Sequence, residues 1–197
     1  MRKMLWSGRF SQNPGKLLLE YTSAENIVLD ERLISYDILG SEAHVAMLYK
    51  QQILSLKEAK QILKALNSVR NAHEKGDFTL KEDLEDVHMN IEAFIIEEVG
   101  DIGGKMHTAR SRNDQINLDT RLYLRDEING LIEQILELEM TFIRLGKRNL
   151  QTLMPGYTHT RIAQPITLAF WLSSYVKGFE RDAERLQELY NRINLNP

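Results

Sequence analysis

The sequence predicts an all-α protein, and three observations support this fold class. Only four prolines occur, and none lies between Pro14 and Pro155. That interval is rich in Leu, Ile, Glu, Lys and Arg, which are good helix formers. No two runs of alternating β-branched residues are joined by an Asn-Gly or Asp-Gly turn, so we do not expect a sheet.

The composition excludes several classes of protein. With 197 residues, of which 43% are hydrophobic and 27% charged, the chain can bury a core and does not resemble a disordered protein. The net charge of −3 provides no basic surface for nucleic-acid phosphates. The absence of cysteine excludes disulfides and thiolate catalysis. No apolar run reaches the length of a membrane span or a signal peptide, so we expect a cytoplasmic protein.

Helices are predicted in order along the first half of the chain. Apolar residues at helical spacing predict a helix over residues 31–50. A second helix is predicted over 55–69, where a Ser-Leu-Lys-Glu capping box marks its start. A third is predicted over 85–99, because a glycine follows it directly, and the glycine pair at 103–104 predicts a loop. The candidate core residues of the first two helices are Leu33, Ile34, Ile38, Val45, Leu48, Ala59, Ile62, Leu63, Leu66 and Val69.

Two much longer helices are predicted in the second half. The segment Ser111–Asn149 contains no proline, and as a single helix it would be roughly 55 to 60 Å long. The segment Thr167–Arg192 is also amphipathic, and a loop stiffened by Pro155 and Pro165 joins the two. Long helices in water derive most of their stability from packing, so we expect a helical bundle completed by other subunits.

The first candidate site lies in the sequence Glu85-Asp86-Val87-His88-Met89-Asn90-Ile91-Glu92. If the helix includes all of it, Glu85, His88 and Glu92 lie at i, i+3 and i+7 and share one face. Such a face can bind a metal, but it is also typical of a solvated acidic helix with an ion-paired histidine. Both interpretations remain open from the residues alone.

The second candidate site is the stretch from Gly103 to Gln115, at the start of the longest predicted helix. A helix N-terminus attracts anions, and Arg110 and Arg112 add donors that can bind a carboxylate in a bidentate manner. The alternative is ordinary capping by Ser111, Asn113 or Asp114. Because one cap needs one such residue, the excess of polar side chains favours a site for an anionic ligand.

The third candidate site is the loop Met154–Ile166, which carries Thr158 and His159. A histidine on a stiff loop can perform acid–base chemistry near neutral pH. The loop residues can equally satisfy the ends of the neighbouring helices, and the residues do not decide between these alternatives. We interpret His44 and His73 as structural or solvated.

Together these motifs resemble the N-terminal part of the argininosuccinate lyases, a family in the fumarase/aspartase superfamily. The Arg-Ser-Arg-Asn-Asp and Pro-Gly-Tyr-Thr-His pieces are specific to that family within the superfamily. The matching segments are Leu5-Trp6-Ser7-Gly8-Arg9-Phe10, Glu85-Asp86-Val87-His88, Gly103–Gln115, Met154-Pro155-Gly156-Tyr157-Thr158-His159 and Asn194-Leu195-Asn196-Pro197.

The resemblance implies a fold, a reaction and a set of site residues. Residues 1–110 would form an N-terminal helical domain, and 111–197 the start of the central helical bundle. The reaction would be reversible β-elimination of argininosuccinate to arginine and fumarate, in a homotetramer with composite active sites and with neither cofactor nor metal. Catalytic roles would fall to His159 and Thr158, and substrate binding to Arg112, Asn113, Ser111, His88, Asp86 and Asn26, with His107 also near the pocket.

Two departures from the family pattern limit these expectations. The family places a substrate-contacting serine four residues before an aspartate near its N-terminus, where this chain has Asn26, and Ser23 fits only with a gap. The family's mobile serine loop lies beyond Pro197, so we expect these 197 residues alone to have little or no activity. The alternatives are another lyase of the superfamily, such as an adenylosuccinate lyase, a δ-crystallin-like structural protein, and a helical oligomerisation module.

Overall fold

The computed structural model describes Gly15, Leu17, Tyr21 and residues 27–196, and these residues form two compact units. The first unit extends to Tyr123, and the second comprises Leu124–Asn196. The helices are α1 (Ile34–Lys50), α2 (Leu56–Glu74), α3 (Val87–Val99), α4 (Arg112–Arg148) and α5 (Leu168–Ile193). Short 3-10 helices occupy Glu31–Leu33, Glu82–Leu84 and Gly100–His107, and two strands, β1 (Leu153–Thr158) and β2 (Arg161–Thr167), separate α4 from α5.

The predicted all-α fold class is confirmed, and the helix boundaries follow the signals in the sequence. Ser55 and Glu58 form the predicted capping box, with the Glu58 amide donating to Ser55 Oγ at 3.3 Å. The helix that follows continues beyond the predicted Val69 to Glu74. Thr167 caps α5 by accepting a hydrogen bond from the Phe170 amide at 3.1 Å. A polar oxygen at the N-cap satisfies an amide that has no partner within the helix.

The core of the first unit is formed by the apolar faces of α1, α2 and α3, closed by the 3-10 segment Gly100–His107. Most of the predicted core residues are in it, whereas Leu33 and Leu63 are only partly buried and pack against its edge. Its buried members are Ile34, Ile38, Val45, Leu48, Leu54, Ala59, Ile62, Ala65, Leu66, Val69, Val87, Ile91, Ile95 and Met106. The predicted loop at Gly103-Gly104 is wrong, because both glycines lie in this 3-10 segment. A Cβ added at Gly103 would lie 3.0 Å from the Ile95 side chain and from the Ile96 amide nitrogen, so a larger residue would be crowded there.

The second unit packs the later part of α4 against α5. Phe142 lies 6.3 Å from Tyr175 and 6.2 Å from Phe179 between ring centroids, and Arg125 lies over the ring of Tyr190 at 5.5 Å. Many large apolar side chains remain exposed along this unit, among them Leu131, Leu136, Met140, Leu153, Ile162, Phe170 and Leu189. None of the described helices is long and apolar enough to cross a membrane.

The expectation of no sheet is wrong for residues 153–167, which form an antiparallel two-stranded hairpin. Pro155 lies opposite Pro165, and the register shifts between Pro155 and Tyr157. Gly156 sits at this irregularity, where an added Cβ would lie 3.0 Å from the Gln164 carbonyl oxygen. Because each strand of a two-stranded sheet has an unpaired edge, prolines are tolerated here although a central strand would exclude them.

Candidate functional site

The predicted site residues fall in both units, and each group is described within its own unit. Asp86, His88, Ser111, Arg112 and Asn113 belong to the first unit. Thr158 and His159 belong to the second. The prediction for Asn26, with Ser23 as its alternative, lies outside the described residues, as does the motif Leu5–Phe10.

Asp86 and Arg112 are brought together at the starts of α3 and α4. Asp86 is the N-cap of α3, where its Oδ1 accepts a hydrogen bond from the Met89 amide at 2.8 Å. Its Oδ2 lies 3.6 Å from Arg112 Nε. The guanidinium is thereby held at a helix N-terminus, and its buried Nη1 has no hydrogen-bond partner among the residues that the structure describes. An N–H group in this position can bind an anion.

Helix α3 starts later than the sequence predicts. Glu85 lies before the helix with φ +61°, so Glu85, His88 and Glu92 do not share the expected helical face. Glu92 instead lies 3.4 Å from His107 Nε2, and His88 is directed into the interior. The three residues therefore do not form the common face that their spacing predicted.

A second guanidinium, that of Arg110, lies close to His107. Arg110 Nη2 donates to Ser41 Oγ at 3.1 Å and lies 3.2 Å from His107 Nδ1. Its Nε and Nη1 are buried, with no hydrogen-bond partner in the described part of the chain. Burial, together with the positive charges of Arg110 and Arg112, lowers the pKa of His107 to about 4. His107 is therefore neutral at physiological pH and adds an uncharged nitrogen to a positively charged surface.

The alternative interpretation of the second motif, helix capping, also holds for part of it. Asp114 Oδ2 accepts a hydrogen bond from the Ser111 amide at 3.0 Å, and Ser111 Oγ accepts one from the Asn113 amide at 3.1 Å. Ser111 and Asp114 therefore stabilise the start of α4. The side chain of Asn113 is exposed and close in sequence to Arg112, where it is accessible to a ligand.

Four polar side chains form a cluster inside the first unit that sequence reasoning recognised only in part. The buried polar cluster consists of Asp37 on α1, His88 on α3, and Gln115 and Asp119 on α4, all nearly inaccessible to solvent. His88 Nδ1 lies 3.4 Å from Asp37 Oδ1 and 3.5 Å from Asp119 Oδ2. The amide nitrogen of Gln115 donates to Asp37 Oδ1, and Ser41 Oγ donates to the same oxygen at 3.4 Å. Only His88 had been predicted as a site residue.

The three ionisable side chains of the buried polar cluster have pKa values that are shifted in different directions. Burial, reinforced by the negative charge of Asp37, raises the pKa of Asp119 to about 8. Burial also opposes the charged forms of Asp37 and His88, but their mutual attraction outweighs it. The pKa of Asp37 is therefore lowered, with help from Gln115 and Arg110, and the pKa of His88 is raised. These shifts favour a carboxylate at Asp37, an imidazolium at His88 and a protonated carboxyl group at Asp119.

The second unit presents Thr158 and His159 at the end of the hairpin. Thr158 pairs with Arg161, so His159 and Thr160 form a two-residue turn in which both have positive φ, +51° and +63°. This is the conformation of a type I′ turn, which normally contains Asn and Gly. All of these side chains are exposed, and Thr160 Oγ1 donates to the His159 carbonyl oxygen at 2.6 Å. His159 thus lies at the tip of the hairpin, in a turn that is strained for residues other than glycine.

A comparison with known protein families establishes the family to which the chain belongs. Residues 8–197 match the family described as Lyase. The chain belongs to this lyase family. It is 46% identical to the argininosuccinate lyase of Syntrophotalea carbinolica over 100% of its own length, and 45% identical to that of Oceanobacillus iheyensis over 98%. The resemblance drawn from the motifs is therefore confirmed, and the chain spans about 42% of the length of these relatives.

Solved structures of lyases share the fold. An EDDS lyase in complex with formate matches with a TM-score of 0.77 and 34% identity, covering 86% of this chain and 33% of that one. A fumarate lyase from Mesorhizobium sp. BNC1 matches with a TM-score of 0.69 and 19% identity, covering 88% of this chain and 41% of that one. At that identity, the second match supports the fold alone.

Proposed function

We propose that the chain forms part of the active site of an argininosuccinate lyase, which cleaves argininosuccinate into arginine and fumarate by β-elimination without a cofactor. The observation that carries the proposal is the pair of guanidinium groups, Arg110 and Arg112, whose buried N–H groups lack partners among the described residues at the start of α4. A substrate with three carboxylates is the kind of ligand that such donors bind. The identity of the chain to argininosuccinate lyases supports this substrate over others.

In this proposal each residue has a defined task. Removal of a Cβ proton leaves a carbanion whose charge spreads into the adjacent carboxylate, and fixed donors lower the energy of that state. Arg112 supplies such a donor, and Asp86 orients it through the 3.6 Å contact. His159 exchanges a proton with the substrate, and Thr158 binds beside it. The other proposed substrate-binding residues are Ser111, Asn113, His88 and Asn26.

The proposal includes assembly into a homotetramer in which several subunits contribute to each active site. What supports it is the number of exposed apolar side chains along the second unit, since large apolar patches are typical of interaction surfaces. It places residues 1–110 in an N-terminal domain and 111–197 at the start of the central bundle. It also places the enzyme in the cytoplasm.

The test is fumarate release, followed by ultraviolet absorbance. The chain is assayed with argininosuccinate, and with adenylosuccinate and aspartate in parallel. A chimera is assayed as well, in which this chain replaces the matching part of the Syntrophotalea carbinolica relative. We expect the chimera to release fumarate from argininosuccinate alone. A chimera that folds and assembles but is silent with all three substrates would contradict the proposal.

Variants of the chimera test the role of Arg112. We expect Arg112→Gln to lower kcat/KM by about 100-fold, because it removes a charged donor from the transition state. Lys60→Gln, which removes a positive charge from an exposed position on α2, is the matched control and should leave kcat/KM unchanged. Equal effects of the two substitutions would show that Arg112 acts only through net charge.

A further inference from the structure

The buried polar cluster has a geometry that the proposed reaction does not explain. Its members come from three helices, and His88 Nδ1 lies between Asp37 Oδ1 at 3.4 Å and Asp119 Oδ2 at 3.5 Å. Both oxygens of Asp119 and Oδ2 of Asp37 are buried, with no hydrogen-bond partner among the described residues. Buried polar groups left in this state cost free energy, so natural proteins keep them where they serve a purpose.

A metal ion is one group that two carboxylates and a histidine could hold, but the donors around Asp37 argue against it. The oxygen of Asp37 nearest His88 already accepts hydrogen bonds from Gln115 and Ser41. Arg110 in turn donates to Ser41, which places a further positive charge beside the cluster. Two donors on one carboxylate oxygen, with the Arg110 cation behind Ser41, stabilise an anion there, and they oppose a divalent cation at the same place.

The two aspartates have different surroundings, and the difference indicates which of them carries a proton. Asp37 receives two hydrogen bonds, so its carboxylate is compensated. Asp119 receives no hydrogen bond from the described residues, and an ionised Asp119 would have to share His88 with Asp37. Two buried carboxyl groups this close share a proton rather than ionise together. The raised pKa of Asp119, about 8, agrees with this assignment.

The buried polar cluster is coupled to the Asp86–Arg112 pair by short segments of helix. Gln115 lies one turn after Arg112 on α4, and Asp119 follows one turn later. His88 lies in the first turn of α3, two residues after the capping Asp86. Contacts between these side chains therefore set how the starts of α3 and α4 meet.

We propose that the buried polar cluster is a positioning element, with Asp37 ionised, His88 cationic and Asp119 protonated, which holds Arg112 against Asp86 for anion binding. Asp37, Gln115 and Asp119 do not touch the substrate but act through Arg112. The part concerning anion binding rests on the proposed function. The protonation states and the geometric coupling do not depend on it.

The test compares two isosteric substitutions in the chain itself, observed by NMR. Asp119→Asn preserves a neutral side chain, so we expect His88 to keep both ring nitrogens protonated and Arg112 to keep its Nε–H signal. Asp37→Asn removes the anion that stabilises His88, so His88 should lose its proton near neutral pH and the Arg112 signal should shift. Asp77→Asn, which removes an exposed aspartate, is the control and should change neither signal.

Measurements on the unsubstituted chain keep the proposal testable if Asp37→Asn does not fold. Because its pKa is raised, His88 should carry protons on both ring nitrogens at neutral pH and lose one only when the pH rises further. The carboxyl groups that act on this titration are those of Asp37, Asp86 and Asp119. Smaller influences come from the more distant Asp30 and His107. A neutral His88 at pH 7 would overturn the proposal.

Two other results would also overturn it. If Asp119→Asn and Asp37→Asn shifted the His88 and Arg112 signals equally, the proton would not reside on Asp119. If stoichiometric Zn²⁺ shifted the His88 signals, the cluster would be a metal site instead. Failure of the proposed function is distinguishable, because a chimera that releases no fumarate leaves these NMR results unchanged.

Discussion

The turn that carries His159 is strained, and the size of the strain can be measured at Thr160. A non-glycine residue in the left-handed region costs roughly 1–2 kcal/mol, and Thr160 is β-branched with φ +63°. Its hydroxyl recovers about 0.5 kcal/mol through the hydrogen bond to the His159 carbonyl oxygen, since the site is exposed. Asn tolerates this conformation, so Thr160→Asn should stabilise the hairpin by about 1 kcal/mol.

Hydrogen exchange of the backbone amides in Leu153–Thr167 is the assay for this substitution. A gain of about 1 kcal/mol slows exchange through local opening about fivefold. Thr160→Val keeps the branched side chain but removes the hydroxyl, so it should accelerate exchange about twofold. Exchange in Leu56–Glu74 serves as the internal reference and should not change. Faster or unchanged exchange in Thr160→Asn would refute the assignment of strain to this residue.

Three further predictions concern the first unit. Leu66→Ala, in the core, should lower the free energy of unfolding measured in urea by about 2–5 kcal/mol. Leu56→Ala, at an exposed position, should lower it by less than about 0.5 kcal/mol, and similar losses in the two variants would contradict the described core. Ser55→Ala should lower the free energy of unfolding by about 1 kcal/mol, and an unchanged urea midpoint would show that the capping box contributes nothing. The pKa of His107 is about 4 in the folded chain, whereas the ordinary value for an unfolded histidine is 6.5. As the pH falls from about 6.5 to 4, the unfolded chain therefore binds a proton that the folded chain does not, and the folded state loses stability. His107→Gln should reduce that loss in thermal unfolding, and an unchanged pH dependence would contradict the burial of a neutral His107.

Helices were predictable because their signals are local. Apolar spacing located α1, and the capping box at Ser55 marked the start of α2. Gly100 ended α3 as predicted, at φ +72°, a conformation that suits glycine. The length of α4 followed from the absence of proline over the same segment. These features depend on neighbours within a few residues along the chain, so the sequence contains them directly.

The hairpin was not predictable from the same rules. Prolines at 155 and 165 argue against a strand, yet here they lie opposite each other in a sheet with two exposed edges. The turn between the strands uses His159 and Thr160, where the usual type I′ signal is Asn-Gly. Residue propensities do not predict this turn, because His and Thr usually prefer conformations with negative φ.

The candidate site was predictable to the extent that it lies at helix starts. The concentration of polar residues before α4 pointed to Arg112, whereas Asp86 came only from the family resemblance, because the predicted helix began at Glu85 rather than after Asp86. Asp37 and Asp119 gave no comparable signal, because an aspartate within an amphipathic helix is usually exposed. Their burial depends on how three helices pack, and that information is not contained in any one segment. The spacing of Gln115 and Asp119, one turn apart, was the only trace of it in the sequence.

Backbone strain provides an independent indication of where function resides. Five described residues other than glycine have positive φ: Gln52, Glu85, Ala109, His159 and Thr160. Gln52 follows the end of α1, where such a conformation is common. Glu85 and Ala109 each precede a candidate residue directly, and the other two form the turn that presents the candidate histidine. Conformations that cost roughly 1–3 kcal/mol persist where the surrounding structure enforces them. The capping bond of Asp86 and the burial of Arg110 provide that enforcement in the first unit, so the strain falls beside the residues that we propose bind the ligand.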